Sequence, residues 1–176
     1  MKILVISDLH YPYCDVKELL NIVKKENPDK IILLGDIINK KEHYYDIFRI
    51  FRDYLDKIIY ICGDNERLLN IKCKKYFIIN KILLYHGDSL NFLSERITKI
   101  IAKVISKISK RILKEIMAFR ARKRGYTVII GHSHLLGKSL LFDVYFSGTL
   151  TKKSYFLERG YIVIENEKII CKKLPQ

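Results

Sequence analysis

Cysteine is sparse and unpaired in pattern: Cys14, Cys62, Cys73 and Cys171 lie far apart and form no CxxC motif. That spacing argues against a structural zinc knuckle and predicts no disulfide framework, with Cys62, inside an apolar run, acting as a small hydrophobe. Free thiols in turn fit a reducing compartment. The sequence also lacks any apolar run of the ~20 residues that a membrane-spanning helix needs. Residues 1–6 are apolar, but Asp8 and His10 follow at once, too early for the core of an export signal. The expectation is a soluble, cytoplasmic protein, able at most to lie on a membrane surface. Internal repeats and low-complexity linkers are missing as well, so the 176 residues read as one domain, residues 1–176. Glutamine is nearly absent while Lys, Ile and Glu abound, a composition that hints at a thermophile.

Acidic residues are scarce in one place above all. Residues 96–124 contain eleven Lys or Arg and a single acid, Glu115, so most of the net charge of +14 resides there. A charge that local calls for a local explanation. Apolar residues, Ile97, Ile101, Val104, Ile108, Ile112 and Ile116, recur among these bases at three- and four-residue steps, which predicts an amphipathic helix over about 92–123. Three readings stay open for it: a solvated face on a core-packed helix, an interfacial helix meeting anionic lipid headgroups, or a nucleic-acid patch. Phe119 is the one aromatic residue within 96–124, which serves base stacking poorly.

The remainder alternates strand and helix signals. Apolar runs at 2–7, 30–35 and 57–62 read as buried strands, separated by helical patterns at 16–25, with Asp15 as N-cap, and 42–55. That βαβαβ order implies a parallel sheet with helices on its faces. Further strands are predicted at 76–79, 82–86, 127–130, 140–142, 144–147, 161–164 and 169–172, with Asn80-Lys81 and Asn166-Glu167 as hairpin turns.

Chemistry-bearing residues collect at the ends of these strands. There are five histidines, and four of them close a strand: His10, His86, His132 and His134. Asp8, Asp36, Asp64 and Asp88 hold equivalent places. Sites in α/β sheets form at the carboxyl ends of strands, so Asp8-Leu9-His10, Gly35-Asp36, Gly63-Asp64-Asn65-Glu66, His86-Gly87-Asp88 and Gly131-His132-Ser133-His134 are expected in one neighbourhood. Residues i and i+2 of an extended chain point the same way, so Asp8 and His10 are expected to reach one ion together, and His132 and His134 likewise. Gly35, Gly63, Gly87 and Gly131 permit tight turns there. Mixed imidazole and carboxylate donors suit manganese, iron, zinc, nickel or cobalt better than calcium or magnesium. His43, in a helix start without partners, reads as a surface or capping residue.

The ordered set DxH, GD, GN-type, H and GHxH resembles the calcineurin-like metallophosphoesterase superfamily, over Asp8 to His134. The resemblance implies an α/β fold, a double-sheet βαββαβ sandwich, here with a late basic helical insert at about 91–124. It also implies two divalent metal ions, Mn2+ first among them, that activate water to split a phosphate ester or phosphoanhydride. Carried over by motif, Asp8, His10 and His134 hold the first ion, Asp64, His86 and His132 the second, and Asp36 bridges both. The departure lies in the third motif. Where the family has Asn as ligand and His as proton donor, this chain has Asp64 and Asn65. Asp64 can ligate but adds a negative charge. Asn65 cannot transfer a proton at neutral pH, which favours substrates with an easy leaving group, such as a nucleotide. Glu66 is expected to orient its neighbours, and Arg67 to touch the phosphate. The spacing of HGD and GHxH around a basic insert is also similar to that of UDP-2,3-diacylglucosamine pyrophosphohydrolases, which implies a nucleotide-linked amphiphile as substrate. A metal-dependent nuclease and a non-catalytic scaffold on the same fold, as in retromer subunits, are the alternatives.

Overall fold

A computed structural model describes residues 1–87, 109–152 and 158–175. β1 (Lys2–Ile6) pairs in parallel with β2 (Lys30–Leu34), and β2 with β3 (Ile58–Ile61). Two helices make the crossovers, α1 (Val16–Glu26) and α2 (His43–Ile50). Asp15 caps α1 by accepting the Glu18 N–H at 3.1 Å, and Asn27, left-handed at φ 40°, closes it. The helical pattern expected over 42–55 breaks at Phe51, after which Arg52–Lys57 tightens into a 3-10 turn. At the other edge β9 (Gly160–Glu165) and β10 (Lys168–Lys173) join antiparallel, giving the order β10-β9-β1-β2-β3. Their turn is the expected Asn166-Glu167, with φ of 50° and 65°.

The second sheet has the order β4-β5-β6-β8-β7, from Phe77–Ile79, Ile82–Tyr85, Thr127–Ile130, Leu136–Lys138 and Val144–Ser147, numbered β4 to β8 along the chain. β5, β6 and β8 run parallel. A strand was expected at 140–142, but the chain pairs at 136–138 instead and turns over residues 139–143. Strand alternation sorts the side chains of β1 and β2. Ile3, Val5, Ile32 and Leu34 meet Ile82, Leu84 and Ile129 of the second sheet, while Leu4, Ile6, Ile31 and Leu33 meet α1 and α2 on the outer face. On the far face of the second sheet, α4 (Lys110–Ala121) packs through Leu113, Met117, Ala118 and Ala121. The fold is therefore a mixed α/β sandwich of two sheets with helices outside. Of the helix expected over 92–123, only its end is seen as α4; residues 92–108, like Asp88, lie outside the described residues. Within α4 the isoleucine stripe is not the packed face, since Ile112 and Ile116 are exposed.

The cysteine reading needs correction. Cys62 and Cys73 form a disulfide with their Cα atoms 5.4 Å apart. After α3 (Asp64–Leu68) the chain returns beside β3, where Cys62 N–H donates to Lys74 O and Lys74 N–H to Tyr60 O. An eleven-residue separation matches no short motif, so nothing in the spacing revealed this return. The premise for a reducing compartment falls with it. Cys14 and Cys171 are free. Among the described residues, no helix is long and apolar enough to cross a membrane.

Candidate metal centre

The parallel strands of both sheets deliver their carboxyl ends to one place. Asp8 follows β1, Asp36 follows β2, Asp64 opens α3 after β3, His86 follows β5, and His132 and His134 follow β6. Contacts between the sheets lock these ends together. His132 N–H donates to Asp8 Oδ2 (3.1 Å), and His86 Nδ1 lies 2.7 Å from Leu34 O. The approach is so close that a Cβ on Gly35 would sit 2.5 Å from the His86 ring, and one on Gly131 would sit 2.1 Å from Ser7 Oγ.

Two groups of donors result. Asp8, His10 and His134 form one; Asp36, Asp64, His86 and His132 form the other, and within each group the donor atoms lie within 4.8 Å of one another. All seven expected ligands are thus brought together. The reason for convergence differs from the extended-chain expectation, however. Asp8, His10, Asp36, His132 and His134 have positive φ, from 47° to 56°, a region that costs a non-glycine residue about 1 kcal/mol or more. These left-handed turns swing Asp8 and His10 onto one point but send His132 and His134 to different groups. Five strained residues in one cleft suggest that the surrounding fold is built to hold a ligand-binding geometry.

The spacings suit ions. Donors bonded to a metal at ~2.0–2.2 Å lie roughly 3–4 Å from each other. Here His134 Nε2 is 3.1 Å and His10 Nε2 3.8 Å from Asp8 Oδ1, and the two imidazole nitrogens are 3.4 Å apart. In the second group His132 Nδ1 is 3.1 Å from Asp64 Oδ2, and His86 Nε2 is 3.5 Å from Asp36 Oδ2. Asp8 Oδ1 and His86 Nε2, one from each group, are buried yet lack a partner in hydrogen-bond geometry among the described residues, an arrangement that is costly unless something else satisfies them. With Nδ1 of His86 committed to Leu34 O, its Nε2, facing Asp36, is the nitrogen left to coordinate.

Electrostatics point the same way. Burial alone would raise the Asp8 and Asp36 carboxyls, but for Asp8 the His134 and His86 imidazoles, and for Asp36 the His86 imidazole, hold them below their ordinary range. Asp64 is likewise held low against burial by His132. His86, against the pull of burial, is pushed up to about 10 by Asp8 and Asp36, and His134 is raised mainly by Asp8. Without an ion, the raised imidazoles of His86 and His134 offset part of the charge of the three carboxylates, a role a cation takes over when bound.

Around the donors, Glu66 is fully buried and its carboxylate accepts from the N–H groups of Asp36, Ile37, Ile38 and Gly63 at 2.8–3.2 Å and from Tyr60 O–H at 2.8 Å. It thereby clamps the Asp36 turn to the Asp64 turn. Asn65 donates its amide to Ile38 O and to Asn39 Oδ1, both at 3.0 Å. Arg67 is half exposed at the rim, donating to Gly63 O and Gly87 O and lying 3.6 Å from Asp64. His43 stands apart, at the start of α2 against the Tyr11 ring. Sequence reasoning missed Asn39. Its Nδ2 donates to His10 O (2.9 Å), so its Oδ1 faces His10 Nδ1 at 3.1 Å and directs His10 Nε2 toward Asp8. The only signal was its place three residues after Gly35-Asp36, and no spacing rule singles that out.

Solved structures share this fold at low identity. Yfce, a phosphoesterase from E. coli, is 14% identical, covers 96% of this chain and 91% of its own, and gives a TM-score of 0.59. Vps29 from Entamoeba histolytica in complex with Zn2+ is 17% identical over 99% of this chain and 98% of its own, with a TM-score of 0.55. A novel archaeal phosphodiesterase is 16% identical over 99% and 100%, with a TM-score of 0.55. No curated protein matches the chain. The family model for calcineurin-like phosphoesterases matches residues 1–157, and with the donor arrangement described above this chain belongs to that family.

Proposed function

We propose that this chain is a hydrolase that cleaves a phosphate ester or pyrophosphate bond with two divalent cations bound side by side. The observation that carries this reading is the pair of adjacent donor groups, each containing one buried atom, Asp8 Oδ1 and His86 Nε2, that faces other donors without a hydrogen bond of proper geometry. Asp8, His10 and His134 would hold one ion, and Asp64, His86 and His132 the other. Asp36, whose donor atom lies with Asp64, His86 and His132, would be the carboxylate shared between them. Mn2+ is the first choice for this donor set. Bound divalent ions supply an acidified water and charge neutralisation at the phosphoryl oxygens.

The chain's own groups narrow the substrate. Arg67 offers its guanidinium to a phosphoryl oxygen at the rim. Asn65 has its amide engaged by Ile38 and Asn39, and an amide does not deliver a proton at neutral pH. The leaving group therefore departs without help from that position, which favours nucleotides and nucleotide-linked amphiphiles over alkyl diesters. The protein measured with Mn2+ is expected to turn over bis-p-nitrophenyl phosphate or its monoester, and Asp36→Asn to reduce that rate by more than about a hundredfold. Equal, negligible turnover by both proteins with metal bound would sink the reading. It would favour instead a non-catalytic scaffold, the alternative that the fold shared with Vps29 and the missing proton donor keep in play.

A further inference from the structure

The face that α4 turns away from the core is apolar. Ile112, Ile116 and Phe119 are exposed there, and beside them the β7–β8 turn holds out Leu140 and Leu141, 64% and 72% exposed. Turn tips are ordinarily polar, and this one is held in place. The Glu115 carboxylate of α4 accepts from Ser139 Oγ (2.6 Å), Leu140 N–H (2.8 Å) and Leu141 N–H (3.2 Å). Arg122 lies over the Phe119 ring, 3.9 Å from its centroid, and near Phe142 at 5.1 Å, which staples helix to turn a second time. Exposed bases frame the patch: Lys110, Arg111, Arg120, Lys123 and Arg124. The one acid of the helix is Glu115, and its charge is turned onto the turn's backbone. Asp143, at the end of the turn, is paired with Lys138 at 3.1 Å.

We propose that this face is a docking surface for an anionic lipid bilayer, with Leu140, Leu141 and the α4 isoleucines entering the headgroup region and the basic rim meeting lipid phosphates. The match is one of chemistry: an apolar centre with a cationic border is what an interfacial element needs. A nucleic-acid strand would satisfy the bases but leave the leucines and isoleucines without cover. A second copy of the chain would bring two strongly basic faces together. Docking also bears on the metal centre. Lys114 of α4 pairs with Glu158 at 2.8 Å, and Glu158 in turn accepts from Leu136 N–H (2.7 Å) and donates its own N–H to His134 O (3.0 Å). The helix that meets the bilayer is thus tied to the loop that carries His134.

The test is co-sedimentation of the full chain with vesicles of phosphatidylcholine alone and of phosphatidylcholine mixed with phosphatidylglycerol, which needs no metal and no turnover. Binding is expected to the mixed vesicles only and to weaken with salt. The double variant Leu140→Ser, Leu141→Ser should lower partitioning about tenfold or more at unchanged thermal midpoint, and Arg120→Glu with Lys123→Glu should do the same. Absence of vesicle binding, or binding that the leucine variant leaves intact, overturns the proposal. So does retention on a DNA duplex, or a dimer abolished by the leucine variant, in a protein that ignores vesicles.

Discussion

At the scale of single residues, Asn39 and Asn65 show how an altered motif is accommodated. Asn65 occupies the place of the family's proton donor, and its amide braces Asn39 at 3.0 Å. Asn39 in turn accepts from His10 Nδ1–H at 3.1 Å, which leaves His10 Nε2 as the donor to an ion. An imidazole ligand fixed through its other nitrogen binds metal more tightly, and loss of such a partner costs about 10–100-fold in affinity. Asn39→Ala is therefore expected to weaken one of two Mn2+ binding steps by that factor and leave the other unchanged, as read by titration calorimetry. Equal weakening of both steps, or of neither, would show that Asn39 does not act through His10. None of this could be seen in the sequence, because Asn39 reaches its partners only through the left-handed turns at Asp8, His10 and Asp36. The ligand residues themselves were legible, since each stands within four residues of a buried strand's end. What misled was the assumption of extended backbone, which paired His132 with His134.

At the scale of elements, the five parallel strands that deliver the donors were readable from their apolar runs, while three features were not. The tip at 139–143 reads as a strand because Leu140, Leu141 and Phe142 are apolar, yet Glu115 and Ser139 hold it as a turn. The 42–55 pattern hides the break at Phe51. The third is the Cys62–Cys73 bond, which closes a loop around α3 and so encloses Asp64, Asn65, Glu66 and Arg67. A bridge of eleven-residue separation stabilises by about 3 kcal/mol, largely by restricting the unfolded chain. Replacing both cysteines by serine is expected to lower unfolding stability by about that amount in chemical denaturation, and to loosen the ion held by Asp64 before the one held by Asp8. A double variant as stable as the parent would mean that the loop is fixed without the bridge.

At the scale of the whole molecule, two sheets meet so that three carboxylates and four imidazoles share one cleft, and this gives the metal-free protein a characteristic response to pH. His86 is raised from an ordinary 6.5 to about 10, so its contribution is complete below pH 6.5 and is lost as pH climbs toward 10. Asp8, Asp36 and Asp64 are lowered from an ordinary 3.8, so theirs is present above that value and is lost as pH falls below it. The thermal midpoint in a chelator is expected to be highest between these limits. With Mn2+ present it should shift to higher pH, because binding displaces the imidazole protons; a midpoint profile that metal leaves unmoved would contradict that linkage. The account's central claim is a two-ion centre, and metal content per chain tests it most directly. Mn2+ equilibrium binding followed by elemental analysis should give two ions per chain, falling to one in His86→Ala. A parent protein that retains one ion or none at saturating Mn2+ would contradict it.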